Sequence, residues 1–149
     1  MTGAQRGAVT IAGAVIALLI AAFPAVAQQQ KPPTEQELKT KGARQMPGAD
    51  IRTSRVGNTW YYLFLATGSV LAVYYRDERN RLAMFQGRKR HTLWWMEGDR
   101  FCDEAVGVVG HSCGKIYVLN SAMHVCLDGQ PTCIAIARQA PGNPENLAP

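Results

Sequence analysis

The stretch WYYLFLATGSVLAVYYRDERN, residues 60–80, decides the fold. Trp60 to Leu65 is an aromatic and apolar run of strand length, and it stops at Thr67-Gly68. Val70 to Tyr75 is a second such run, closed by the charged turn Asp77-Glu78-Arg79-Asn80. Short β-branched and aromatic runs punctuated by turn residues are the signature of antiparallel strands. The pattern continues outward from this pair. Leu82 to Gln86 is followed by a turn at Gly87-Arg88-Lys89-Arg90, and Thr92 to Met96 by a turn at Glu97-Gly98-Asp99. Arg100-Phe101-Cys102, Lys115 to Leu119, Ala122 to Leu127 and Cys133 to Arg138 make eight strands in all, while Gly107-Val108-Val109-Gly110 suits a strand or a loop. Turns every 8–12 residues indicate an all-β antiparallel meander, either a small barrel or a strongly curved sheet.

Upstream, Thr34-Glu35-Gln36-Glu37 is a capping box. The Thr34 hydroxyl can meet the backbone N–H of Glu37, whose side chain can reach back. Lys39 and Lys41 suit the carboxyl end of a two-turn helix, and Gly42 can end it. Pro47-Gly48-Ala49-Asp50 reads as a turn, and the β pattern is expected from Thr53 onward. The chain thus divides into residues 1–27, a linker with a short helix over 28–50, a β-meander domain over 51–140, and a proline-bearing tail over 141–149, expected to lie on the surface.

Residues 1–27 read as a secretory signal peptide. Arg6 precedes an uncharged run from Ala8 to Phe23, Pro24 breaks it, and Ala25-Val26-Ala27 offers a small-x-small cleavage site. The run falls short of the ~20 residues that span a bilayer, so no membrane span is expected after cleavage. Removing 27 of 149 residues leaves 122, enough for one modest core. Without Arg6 there remain fifteen basic and eleven acidic side chains, a net charge near +4. That favours anionic partners but lacks the density of a nucleic-acid binder.

Four cysteines, Cys102, Cys113, Cys126 and Cys133, lie in the last third of the chain. In an exported protein they are expected as disulfides. Three pairings are available, and the local one is favoured: Cys102 with Cys113, Cys126 with Cys133. The second pair flanks a hairpin-like loop, Leu127 to Thr132. Closing loops this short removes roughly 2.5–3 kcal/mol of unfolded-state entropy per bridge.

The order of several elements resembles a domain family of unknown function found in short exported proteins, chiefly of alphaproteobacteria. These are Glu37-Leu38, Val56-Gly57-Asn58-Thr59, Gly68, Tyr74-Tyr75, Trp94, Glu97-Gly98-Asp99-Arg100-Phe101-Cys102, Cys113 ahead of Tyr117, Asp128-Gly129, and Gly142-Asn143-Pro144 with Leu147. The resemblance covers most of the mature chain. This chain departs at Asp77-Glu78, where the family tends to have Asp-Gly, and by adding the Cys126 and Cys133 pair. The resemblance implies a periplasmic, lipocalin-like β-domain and brings no catalytic residues.

Gly110-His111-Ser112-Cys113-Gly114 matches the nucleophile elbow of α/β-hydrolases in letters alone. That motif needs a following helix and a later acid and histidine, yet no histidine follows His124. His111, Cys113 and Cys102, with His124 or Cys126 as a fourth ligand, lack the close Cys-x₂₋₄-Cys pairs usual for zinc. No catalytic residue, metal or cofactor is therefore expected. Asp99, Asp103 and Glu104 read as solvated acids beside a turn. Arg88-Lys89-Arg90, with Trp94 and Trp95 close by, is the candidate partner-binding face for an anionic envelope component or a protein. Trp60, Tyr61, Tyr62, Phe64, Tyr74, Tyr75 and Phe85 divide between the core and a second candidate, a barrel interior holding a small apolar ligand. The expected function is a non-enzymatic periplasmic binder of an anionic partner. The alternatives are a lipocalin-like carrier or sensor of a small apolar ligand, and an inhibitor of an extracellular hydrolase.

Overall fold

The computed structural model describes residues 31–85, 87–106 and 109–147. The signal-peptide reading of residues 1–27 lies outside the described residues, as do Gly107 and Val108. Eight strands form an antiparallel meander: β2 (Asn58–Phe64), β3 (Ser69–Tyr75), β4 (Asn80–Phe85), β5 (Arg88–Glu97), β6 (Arg100–Glu104), β7 (His111–Leu119), β8 (Ala122–Leu127) and β9 (Ile134–Pro141). Each pairs with the next, and β9 returns to β2 with Asn58 opposite Pro141 and Leu63 opposite Ala135. The sheet is therefore a closed barrel of lipocalin-like architecture. A two-residue strand, β1 (Arg44–Gln45), adds to the far end of β7.

Alternation of side chains along each strand fills the interior. Trp60 and Tyr62 of β2, Val73 and Tyr75 of β3, Ala83, Trp94, Phe101, Ile116 and Val125 form one buried cluster. Trp60 and Trp94 satisfy their indole N–H groups on the Ser54 and Asp77 carbonyls, at 3.0 and 2.8 Å. Both disulfides take the local pairing. Cys102 and Cys113 face each other across β6 and β7, and Cys126–Cys133 spans the β8–β9 loop. They indicate an oxidising environment. No helix among the described residues is long and apolar enough to cross a membrane.

Helix α1 (Glu35–Thr40) carries the expected capping box, with Glu37 N–H donating to Thr34 Oγ1 at 3.1 Å and Thr34 N–H to Glu37 Oε2 at 2.7 Å. Its Leu38 packs outside the barrel on Tyr117 and the Cys126–Cys133 bridge. The tail is held along the outside of β2, where Tyr61 Oη donates to Glu145 at 2.6 Å and Thr59 Oγ1 to the Gly142 carbonyl at 2.7 Å.

Two local expectations are corrected. Residues 47–55 are not a turn leading into a strand but a helix, α2 (Gly48–Arg55), which covers one end of the barrel. Its cap comes from a distant residue: Asp99 Oδ1 accepts the Gly48 N–H at 2.7 Å. Gly48 also lies so close to the Gly98 carbonyl that a Cβ there would collide with it. Neither fact is visible in the local sequence. Similarly, Arg88 to Arg90 are strand rather than turn. Gly87, at φ +71°, turns the chain, and the ladder begins at once with Arg88 opposite Phe85.

Candidate functional site in the barrel interior

The middle of the barrel holds three charged side chains. Arg55, the last residue of α2, points into the interior and is wholly buried. Its guanidinium carbon lies 3.9 Å from the Phe101 ring centre, 4.5 Å from Tyr75, 5.1 Å from Trp60 and 5.5 Å from Trp94. Ring faces carry negative charge, so this aromatic box receives a cation that could not otherwise be buried. Arg55 Nη2 donates to Tyr62 Oη at 3.1 Å, and the Tyr62 and Tyr75 hydroxyls are hydrogen-bonded to each other. Burial opposes the Arg55 charge, but Tyr62, Tyr75 and Asp103 outweigh it and raise its pKa. The same burial pushes both tyrosines above their ordinary value.

Asp103 of β6 sits between two arginines. Its Oδ2 lies 3.0 Å from Arg81 Nη1, and its Oδ1 3.6 Å from Arg55 Nη1. Arg81 of β4 donates from Nε to Thr92 Oγ1 at 2.9 Å and from Nη2 to the Glu104 carbonyl. Arg81 and Asp103 are 5% and 8% exposed, so this is an interior network and not a surface ion pair. The expectation that Asp103 is a solvated acid is thus corrected: it occupies the same inward phase of β6 as Phe101.

Beyond this network, towards the end opposite α2, the interior opens into a cavity of about 250 Å³. Phe64, Leu71, Val73, Val125, Leu127 and Ile134 form much of its wall, with Ser112 among them. Tyr62, Arg81, Phe101 and Asp103 form its floor. The cavity is thus a mostly apolar chamber whose polar lining, among the described residues, is limited to Tyr62, Arg81, Asp103, Glu104 and Ser112, the usual make-up of a small-molecule site.

Arg88, Lys89 and Arg90 are exposed on β5, but strand alternation puts Lys89 on the opposite face from the two arginines. Trp94 is corrected out of the contact face, since it is 1% exposed and belongs to the core. Trp95 faces outward and is half-buried, its indole N–H on Glu97 at 3.1 Å and its ring 5.5 Å from that of His111. Ser112 lies within β7 opposite Asp103, with no elbow. Glu97, Cys102 and Cys113 come within metal-binding distance of one another, but both sulfurs are committed to a disulfide. His124 is partly buried, which lowers its pKa.

No family model matches the chain, and neither a curated protein nor a solved structure matches it. The functional reading therefore rests on the geometry. Arg55, Arg81 and Asp103 were missed by the sequence reading. Two of them did carry a signal: Arg81 and Asp103 stand at inward phases of strands otherwise filled by apolar residues.

Proposed function

We propose that this is an exported periplasmic protein, released by cleavage after Ala27, that carries or senses a small apolar molecule inside its barrel. The observation that carries the reading is the apolar cavity of about 250 Å³ above the Arg81–Asp103 floor. A barrel of eight strands is just wide enough to be filled or to hold one small ligand, and here part of it is left unfilled. The ordered resemblance of its motifs to exported alphaproteobacterial domains agrees with this location. Native mass spectrometry of the protein purified from its own periplasm tests the reading. A bound small molecule is expected, and it should be absent from a folded Val125→Trp variant whose indole occupies the cavity. A purely apo spectrum, with no thermal shift on adding toluene, would overturn it.

A second reading has one observation in its favour. Arg88, Lys89 and Arg90 are all exposed on the β4–β5 hairpin, a basic arm suited to an anionic envelope component or an acidic protein. Reversing the three charges should abolish retention on envelope material at low salt. Unchanged retention would remove it.

A further inference from the structure

We infer that the ligand of the barrel is a neutral molecule bearing a hydroxyl group, bound with the hydroxyl at the floor against Asp103 and an apolar body of about eight non-hydrogen atoms along the wall. This rests on the cavity reading above and specifies its ligand class.

Among the described residues, the buried side-chain atoms without a hydrogen-bond partner include Arg55 Nε, Arg55 Nη1 and Asp103 Oδ1. The two arginine nitrogens belong to a guanidinium boxed by four rings, which offer a cation partial compensation. Asp103 Oδ1 has no such cover. Arg55 Nη1 lies 3.6 Å from it, too far for a hydrogen bond, while its sister oxygen is engaged by Arg81. A buried carboxylate oxygen without a donor is costly, and this one belongs to a residue lining the cavity. The floor therefore asks for a donor.

The charge of the donor follows from its surroundings. Arg55 and Arg81 are matched in charge by Asp103 and by Glu104, which also lines the cavity, so the floor is neutral overall and an ammonium or a carboxylate would bring in an unbalanced charge. The nearby Glu104 carboxylate is turned to the backbone, its Oε2 accepting the Leu93 N–H at 2.9 Å. A ligand carboxylate would find Arg81, but it would offer Asp103 Oδ1 a second anion in place of a proton. It would also have to be stripped of water between apolar walls. A hydroxyl meets both demands, donating to Asp103 Oδ1 and accepting from Arg81 without bringing in a charge. The size follows from the volume: about 250 Å³ corresponds to roughly eight groups of about 30 Å³, the share of one liquid water.

Four probes of one length decide the matter by calorimetry or ligand-observed NMR on the mature protein: 1-octanol, heptyl methyl ether, octanoate and octylamine. The ether has the size of the alcohol and can accept but not donate. Octanol is expected to bind most tightly, with the ether about tenfold weaker, as loss of a hydrogen bond to a charged acceptor predicts. In an Asp103→Asn variant that folds, the gap between alcohol and ether should shrink, and an undiminished gap would overturn the assignment of Asp103. The wild-type comparison stands without that variant. Equal binding of ether and alcohol, or tightest binding of octanoate or octylamine, would overturn the hydroxyl inference while leaving the cavity reading intact. Binding of none of the four would count against the cavity reading itself.

Discussion

Replacing Arg55 should damage the fold more than replacing any surface arginine, because the side chain is wholly buried and several groups depend on it. Arg55→Ala removes the cation from a box of four rings, the donor at 3.1 Å from Tyr62 Oη, and one of the two cations beside Asp103. Breaking a buried ion pair by deleting one partner costs about 3–5 kcal/mol. Arg81 still holds Asp103 Oδ2 at 3.0 Å, which argues for the lower half of that range. The lost guanidinium and its stem leave a void that argues for the upper half. The expected loss is about 4 kcal/mol, a large share of the ~5–15 kcal/mol that holds a domain together. Arg55→Lys keeps the charge but loses the flat stacking surface, and should cost about half as much, roughly 2 kcal/mol. Urea unfolding with disulfides intact, followed by tryptophan fluorescence, measures both, since Trp60 and Trp94 flank the guanidinium. A loss below about 1 kcal/mol for Arg55→Ala, a value ordinary for surface changes, would refute the view that this network organises the core.

Gly48→Ala should destabilise the protein by about 2 kcal/mol, because the methyl collides with the Gly98 carbonyl and overpacking of this kind costs about 1–3 kcal/mol; thermal unfolding measures it. At high pH, burial raises the pKa of Tyr62 and Tyr75 above 10 in the folded state. Their contribution is fully present below pH 10 and is lost as pH rises through the folded values, so their absorbance change at alkaline pH should coincide with unfolding. At low pH the sign reverses for Glu35. Its hydrogen bond with Lys39, then that with Tyr117, lowers its pKa below 4.5. The docking of α1 that it supports is present above that value and is lost as pH falls through the folded one, and Glu35→Gln should remove this acid dependence in a circular-dichroism titration.

The eight strands were legible because their runs of Trp, Tyr, Val and Ile are separated by turns with glycine or clustered charge, a local signal. The disulfide pairing was legible for the same reason, since short loops bring Cys102 to Cys113 and Cys126 to Cys133. The chamber itself was foreseen only as one possibility, because the volume left by inward side chains depends on how eight strands close together. Helix α2 was illegible: residues 48–55 contain one buried apolar side chain, Ile51, and the helix is capped by Asp99 from across the barrel. With the helix went Arg55, which reads as a surface residue until α2 is turned into the barrel. Trp94 and Trp95 show both sides of the matter. Alternation demanded that one face inward and one outward, and the sequence alone could not say which.

The most direct test of the ligand chamber is a methyl NMR titration of the mature protein with toluene. The methyl signals of Leu71, Val73, Val125, Leu127 and Ile134, which line the cavity, should shift together and saturate, while that of Val70, 55% exposed on the outer face, stays in place. Shifts confined to Val70, or no saturable shift at the five interior positions, would contradict the claim that the barrel encloses a binding site.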